Sequence, residues 1–309
     1  MSITTEPKRF EPEHYEFEFY YLPQYGVSHK QVTDYCSWIS KRFASVCNVG
    51  MTKELNSEWI LRTYNATKLV MASTLLLNSA EYCIERKVFP TIPYLLYYAV
   101  FNACRSLIYV AYFSEINSLN NLIEITHSKV LNVAPDIISH LNANISSRIK
   151  KTLLSLRNER ELFSYVFPAN GMTDSPDLNE IVSICGFLVE LAELTGRRIQ
   201  SFFEKHFLSS ESLRTEASLT WQVVDSDILS KIYTHDRKSV NPQEKITWVD
   251  QEDWYRVNYI KRKIKYPCSI LFTMTEGMAE DFFGAWLNEE IDDYDFNPDI
   301  NRSIIFPIP

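Results

Sequence analysis

Apolar residues recur at steps of three and four along most of the first 208 positions, the spacing that lines one face of an α-helix. Val32, Tyr35, Ile39 and Phe43 hold that register and predict a short helix over 29–46. Residues 53–87 contain neither Pro nor Gly and end in basic residues before Pro90, so they predict a long helix. Residues 91–113 are apolar on nearly every side, which predicts a helix at the centre of a bundle. Tyr94, Tyr98, Asn102, Arg105 and Tyr109 form the one polar stripe of that helix, and the stripe must face a partner group or a cleft. A looser segment, 114–135, contains "ITHSKVLNV". Residues 144–166 carry the next helix, with a core stripe of Ile149, Leu153, Leu156, Arg160, Phe163 and Phe167 that Arg160 interrupts. After a turn-rich loop at 168–177, with Asp177 as N-cap, an amphipathic helix is predicted over 178–207.

The two ends of the chain read differently. Residues 1–30 alternate Pro with aromatics and predict an extended arm lying on the body. Residues 213–266 gain Trp, Val, Ile, Thr and Tyr in short runs, including "WYRVNYIKRKIKY", and predict a small antiparallel sheet. From Pro267 the helical period returns, with Leu271, Met274, Met278, Phe282, Ala285 and Trp286 on one face. An acidic, Pro-bounded tail closes the chain. The expected fold is therefore mainly α: an N-terminal arm and short helix at 1–51, an antiparallel helical bundle at 52–208, and at 209–309 a small β segment with a C-terminal helix packed on the bundle.

Composition narrows the chemistry. Only 7 glycines occur in 309 residues, and no GxGxxG or GxxxxGK[ST] is present. A dinucleotide or nucleoside-triphosphate site of the usual glycine-cradled design is not expected. The net charge of −8 is concentrated in residues 209–309, which carry 11 Lys/Arg against 18 Asp/Glu. A global electrostatic footprint for nucleic acid is thus absent, which leaves room for a local one. The six cysteines are widely and irregularly spaced, without a CxxC pair, and read as reduced, mostly buried thiols of a cytosolic protein. No metal site or cofactor is expected. The N-terminus lacks the apolar core of a signal peptide. Residues 92–113 are long enough to span a bilayer, but an arginine such as Arg105 at the bilayer centre costs about 2.5–3.5 kcal/mol. A buried helix without membrane contact is expected.

The order of elements carries a resemblance. A long helix is followed by "PYLLYYAVFNACRSLIYVAY", then by the His-containing "THSKVLNV", then by a helix ending "LRNERELFSY", then by a closing helix. Over residues 52–208 this resembles HEPN-domain proteins, with a looser likeness to YaaC-like proteins in length, in the His after the second helix and in a closing helix with Trp. The HEPN resemblance implies an antiparallel bundle, frequently dimeric. It implies a role in toxin–antitoxin, antiviral-defence or RNA-processing systems, often as a metal-independent ribonuclease. The family's catalytic pattern is Arg, four to six residues, then His. Arg157 matches the arginine and Asn158 the polar residue after it, while Tyr165 matches the tyrosine that follows the His in some members. No His stands in the expected slot.

That departure bears on mechanism. Metal-independent RNA cleavage must move a proton near neutral pH, a task suited to an imidazole and closed to an always-protonated guanidinium. His127 or His140 replaces the missing group only if the fold brings one beside Arg157. Arg157 and Arg160 are read either as phosphate ligands or as ion pairs with Glu159 or Glu161. Asn102 and Arg105 either satisfy each other on a buried helix or line a site, and His127 is either a structural hydrogen-bonding group or a proton-transfer group. Lys261, Lys263 and Lys265, placed on one face by strand spacing, either protect a sheet edge or meet nucleic acid or an acidic partner. Two functions follow. One is a catalytically degenerate HEPN-like protein that binds a protein partner, RNA or a nucleotide. The other is an active ribonuclease using Arg157 with His127 or Tyr165.

Overall fold

The computed structural model describes residues 19–47, 51–111, 122, 124–171, 177–208, 251–263 and 266–286. Among these every regular element is helical. The order is α1 (Tyr21–Gln24), α2 (His29–Val46), α3 (Lys53–Glu85), α4 (Ile92–Ala111), α5 (His127–Ser139), α6 (Ala143–Tyr165), α7 (Leu178–Phe203), α8 (Gln251–Lys263), α9 (Ile270–Thr273) and α10 (Glu276–Gly284). A 3₁₀ turn at Phe89–Thr91 links α3 to α4, and a π turn at Glu204–Leu208 extends α7.

Capping chemistry sets several boundaries. Ser28 and Gln31 form a reciprocal capping box at α2. Thr52, Thr126, Asn142 and Asp177 each accept a backbone N–H at the start of α3, α5, α6 and α7. Asp177 is the N-cap that the sequence predicts. The helix after residue 126 is longer and more regular than the loose segment read there, because Thr126 starts it and Pro135 is accommodated inside it. The Pro135 carbonyl accepts the Ser146 hydroxyl at 2.6 Å, tying α5 to α6.

α4 is the central helix and packs against α3, α5, α6 and α7. Leu96, Tyr97, Ala99, Val100, Ala103, Cys104 and Leu107 are all fully buried. Each large side chain so buried contributes roughly 1.5–3 kcal/mol. This is the bundle centre that the all-round apolar pattern predicts. No helix among the described residues is long and apolar enough to cross a membrane. All six cysteines are free, and all but Cys83 are buried.

α7 seats both ends of the described chain. Gly186 admits the Tyr21 ring, which a Cβ there would meet at 2.1 Å. One turn on, the Glu190 carboxylate accepts the backbone N–H groups of Tyr20, Tyr21 and Leu22 at 2.6, 2.9 and 2.7 Å. Residues 21–24 therefore form a helical turn rather than a continuation of the extended arm; the rest of that arm, 1–18, lies outside the described residues. Further along α7, Glu193 accepts Leu271 N–H and Gln200 accepts Ser269 N–H, each at 3.0 Å. Gly196 leaves room for Ser269 Cα.

The reading of 251–263 as strand is wrong. This stretch is α8, and its buried residues Asp253, Val257 and Ile260 recur at steps of four and three. The alternation of Tyr255, Val257 and Tyr259 imitates a strand, but only Val257 of the three is buried. Asp253 is held by Tyr64 Oη at 2.5 Å and Lys68 Nζ at 2.6 Å, which docks α8 on α3. Lys261 and Lys263 fall within this helix, so the strand spacing that placed them on one face does not apply. Lys265 and the remaining expected strands, 213–250, lie outside the described residues. The single helix expected after Pro267 is two short ones. Met274 turns to extended backbone, ψ 131°, and Thr275 caps α10 through Met278 N–H. Consequently Met278 is buried while Trp286 is exposed.

Candidate functional site

The polar stripe of α4 faces the C-terminal half of α6, and the first residue of α5 stands beside both. The Tyr97 hydroxyl and His127 Nδ1 are 2.7 Å apart. The imidazole stacks on Phe101 with centroids 4.5 Å apart and planes 24° apart, and meets Tyr98 edge-on at 5.9 Å. From α6, the Arg160 guanidinium lies over the Tyr97 ring, 4.9 Å from its centroid, and Nη1 donates to Tyr98 Oη at 3.4 Å. Arg157 sits one turn earlier on the same helix. Arg105 of α4 packs near the Phe101 and Tyr109 rings, 5.9 and 6.0 Å from their centroids.

Charge in this cluster is unbalanced. Arg157 Nε and Arg160 Nη2 both reach Glu161 Oε1, each at 3.4 Å, a long contact for a charge-assisted pair. Glu159, the other carboxylate expected to pair with them, instead accepts the Ser155 hydroxyl at 3.3 Å. Among the described residues, the Nε atoms of both Arg157 and Arg160 are buried without a hydrogen-bond partner. The site is accessible: the Arg157 and Glu161 side chains are 33% and 40% exposed. Two guanidinium groups thus share one carboxylate, with the Arg105 guanidinium on the neighbouring face of α4.

This field acts on the histidine. Burial holds the His127 imidazole below its ordinary pKa, and Arg160, Arg105 and Arg157 push in the same direction, with Glu161 opposing. The helix N-terminus on which His127 sits also disfavours a cation. His127 is therefore neutral near pH 7. Burial pushes the Tyr97 phenol up to about 12, so it stays a hydroxyl. With Nδ1 engaged by that hydroxyl, Nε2 is the ring nitrogen through which a proton can pass to a ligand.

The fold thus gathers His127, Arg157, Arg160 and Arg105. Asn102 is half-buried on α4 between Tyr98 and Arg105. Asn158 is exposed on the outer side of α6. Tyr165 is 82% exposed at the end of α6. Eight residues of helix put its backbone about 12 Å from that of Arg157. Phe167, expected to extend the α6 core stripe, is exposed and adopts φ +48°, so the stripe ends at Phe163. Lys261 and Lys263 belong to α8, on a different part of the bundle. His140 is stacked on Trp38 at 4.1 Å, a structural role. Tyr97 is the residue that sequence reasoning passed over. It reads as one more apolar position of α4, and its only signal is its place one turn before Phe101.

An arrangement of guanidinium groups with one neutral imidazole suits an oxyanion and repels a cation. Among the described residues no group of three or more His, Cys, Asp or Glu could hold a metal ion. Compared with known proteins, the chain matches no family model, no curated protein and no solved structure.

Proposed function

We propose that this protein binds RNA through its phosphates at the half-exposed arginine cluster where α4 meets α6, as a HEPN-like protein that has lost cleavage chemistry. The observation that carries this reading is that Arg157 and Arg160 share a single carboxylate, Glu161, at a long 3.4 Å each, and that the Arg160 Nε is buried without a hydrogen-bond partner among the described residues. A phosphate oxygen would supply the acceptors that Glu161 leaves wanting. A free nucleotide or an acidic protein partner would answer the same charge but brings no further feature of the site into play. The toxin–antitoxin and antiviral-defence setting, like the dimer, belongs to the HEPN likeness and is part of this proposal.

One observation favours the second reading, a metal-independent ribonuclease. His127 stands in the same cluster and has the neutral form a general base requires. Against it, the tyrosine that would assist is about two helical turns from Arg157, and a lone imidazole must serve both proton transfers of the reaction.

The test uses the full chain and a fluorescent single-stranded RNA of mixed sequence, without metal. Wild type binds, with affinity falling as salt rises. The Arg157→Ala/Arg160→Ala double variant loses about 10- to 100-fold in affinity, consistent with losing one or two charge-assisted bonds. No binding by wild type at low salt removes the reading. Cleavage by wild type that vanishes in both Arg157→Ala and His127→Ala replaces it with the second.

A further inference from the structure

The proposed site contains a group that phosphate binding alone does not require, the His127–Tyr97 pair. Its imidazole is fixed on three sides. Tyr97 Oη engages Nδ1 at 2.7 Å, the Phe101 ring lies parallel at 4.5 Å, and Tyr98 closes the edge. A ring clamped in this way cannot turn from its neighbours when the local charge changes. The charged and titratable groups that face it are Tyr97, Tyr98 and Arg105 from α4 and Arg157, Arg160 and Glu161 from α6. On its own helix the neighbours are the Thr126 cap and Lys129, whose backbone N–H donates to that cap.

We infer that anion capture at this cluster is proton-coupled: the site takes up one proton, on His127, together with each phosphate it binds. The inference rests on the proposed anion-binding reading and adds its regulation. Without an anion, three guanidinium groups and the N-terminus of α5 oppose a fourth cation. An oxyanion seated between Arg157 and Arg160 offsets part of that positive field and places a negative charge beside the ring. The imidazolium then gains a charge partner, with Nε2–H donating to the anion and Nδ1–H donating to Tyr97 Oη. The bound proton comes from solvent, so the balance involves no further reactant. In the empty site the proton is held below the usual imidazole range, and in the loaded site above it. Affinity therefore rises as pH falls between these two values, with a limiting slope of about tenfold per pH unit.

The experiment is calorimetric titration of the full chain with oligouridylate, whose own groups do not titrate between pH 5 and 8. It is run in two buffers of different ionisation heat. Wild type is expected to take up close to one proton near pH 7 and to bind more tightly at pH 6 than at pH 8 by about tenfold or more. His127→Gln loses both the uptake and the pH dependence, and at pH 6 it binds no tighter than at pH 8. Tyr97→Phe, which leaves the ring in place, shifts the dependence without abolishing binding. The His127 ring resonance, followed by NMR with and without the oligonucleotide, must move its midpoint upward on binding. Binding without proton uptake, or an unmoved midpoint, overturns the inference while leaving the anion-binding reading intact. Absence of binding at every pH overturns both.

Discussion

Three backbone N–H groups at the start of α1 converge on one side chain, Glu190, nearly 170 residues away in the chain. Replacing it with alanine leaves buried donors without an acceptor, and Glu190→Ala is expected to cost about 2–4 kcal/mol in urea unfolding. Burial pushes this carboxyl up to about 7 from 4.5, against the three N–H groups that favour the anion. Its folded value lies above its unfolded one, so its contribution is complete below about pH 4.5 and lost as pH rises through 7. The stability gap between wild type and Glu190→Ala therefore narrows from pH 5 to pH 8. Ser106 tests the opposite case. Its hydroxyl is fully buried on α4 and has no hydrogen-bond partner among the described residues. Ser106→Ala is expected to raise stability by about 1 kcal/mol, read as a higher melting temperature. A loss on this substitution would mean that the hydroxyl is satisfied. At the arginine cluster, single side chains matter through charge rather than packing, which is why the arginine variants are judged by affinity.

Helix ends show the same economy at the next scale. α3 closes with Val88 N–H on Cys83 C=O and Lys87 N–H on Ile84 C=O, a Schellman pair that needs a left-handed residue. The residue there is Lys87, at φ 61°, where glycine is the unstrained choice. Lys87 is exposed, so Lys87→Gly removes strain without removing packing and is expected to stabilise by about 1 kcal/mol in thermal unfolding. α6 ends likewise, with Phe167 at φ 48° and its N–H on Leu162 C=O. Neither ending is signalled by a glycine, and this made the end of the α6 core stripe hard to place. α8 fails for a different reason. Thirteen residues with aromatics at alternate positions satisfy both a strand and a helix pattern, and only the buried set 253, 257 and 260 distinguishes them.

Across the whole molecule, α7 and α3 serve as platforms for segments distant in sequence. The C-terminal helices dock through a few polar anchors: Asp253 on Tyr64 and Lys68, Glu193 on Leu271, and Arg256 bridging to Asp281. Asp253 is buried, so its charge is compensated by Lys68 and Tyr64 only while α8 stays in place. Asp253→Asn weakens both contacts. Hydrogen exchange over 251–263 is expected to accelerate about tenfold or more, while α4 and α7 keep wild-type protection. Equal acceleration across the bundle would show that α8 unfolds with the body rather than from it.

The positions of α2, α3, α4, α6 and α7 were legible because helix signals are local: a period of 3.6, capping side chains, and Pro or Gly at the margins. The sequence also marked Arg160 as a charge inside an apolar stripe, and Tyr98 and Arg105 as a polar stripe on an apolar helix. It could not say whether those stripes meet, nor that His127 stands beside them. Contacts between residues 30 or more apart depend on the angles at which helices cross, and those follow from the packing of the entire core. Local periodicity determined the helices; tertiary packing alone brought an imidazole to the guanidinium groups whose own helix lacks one.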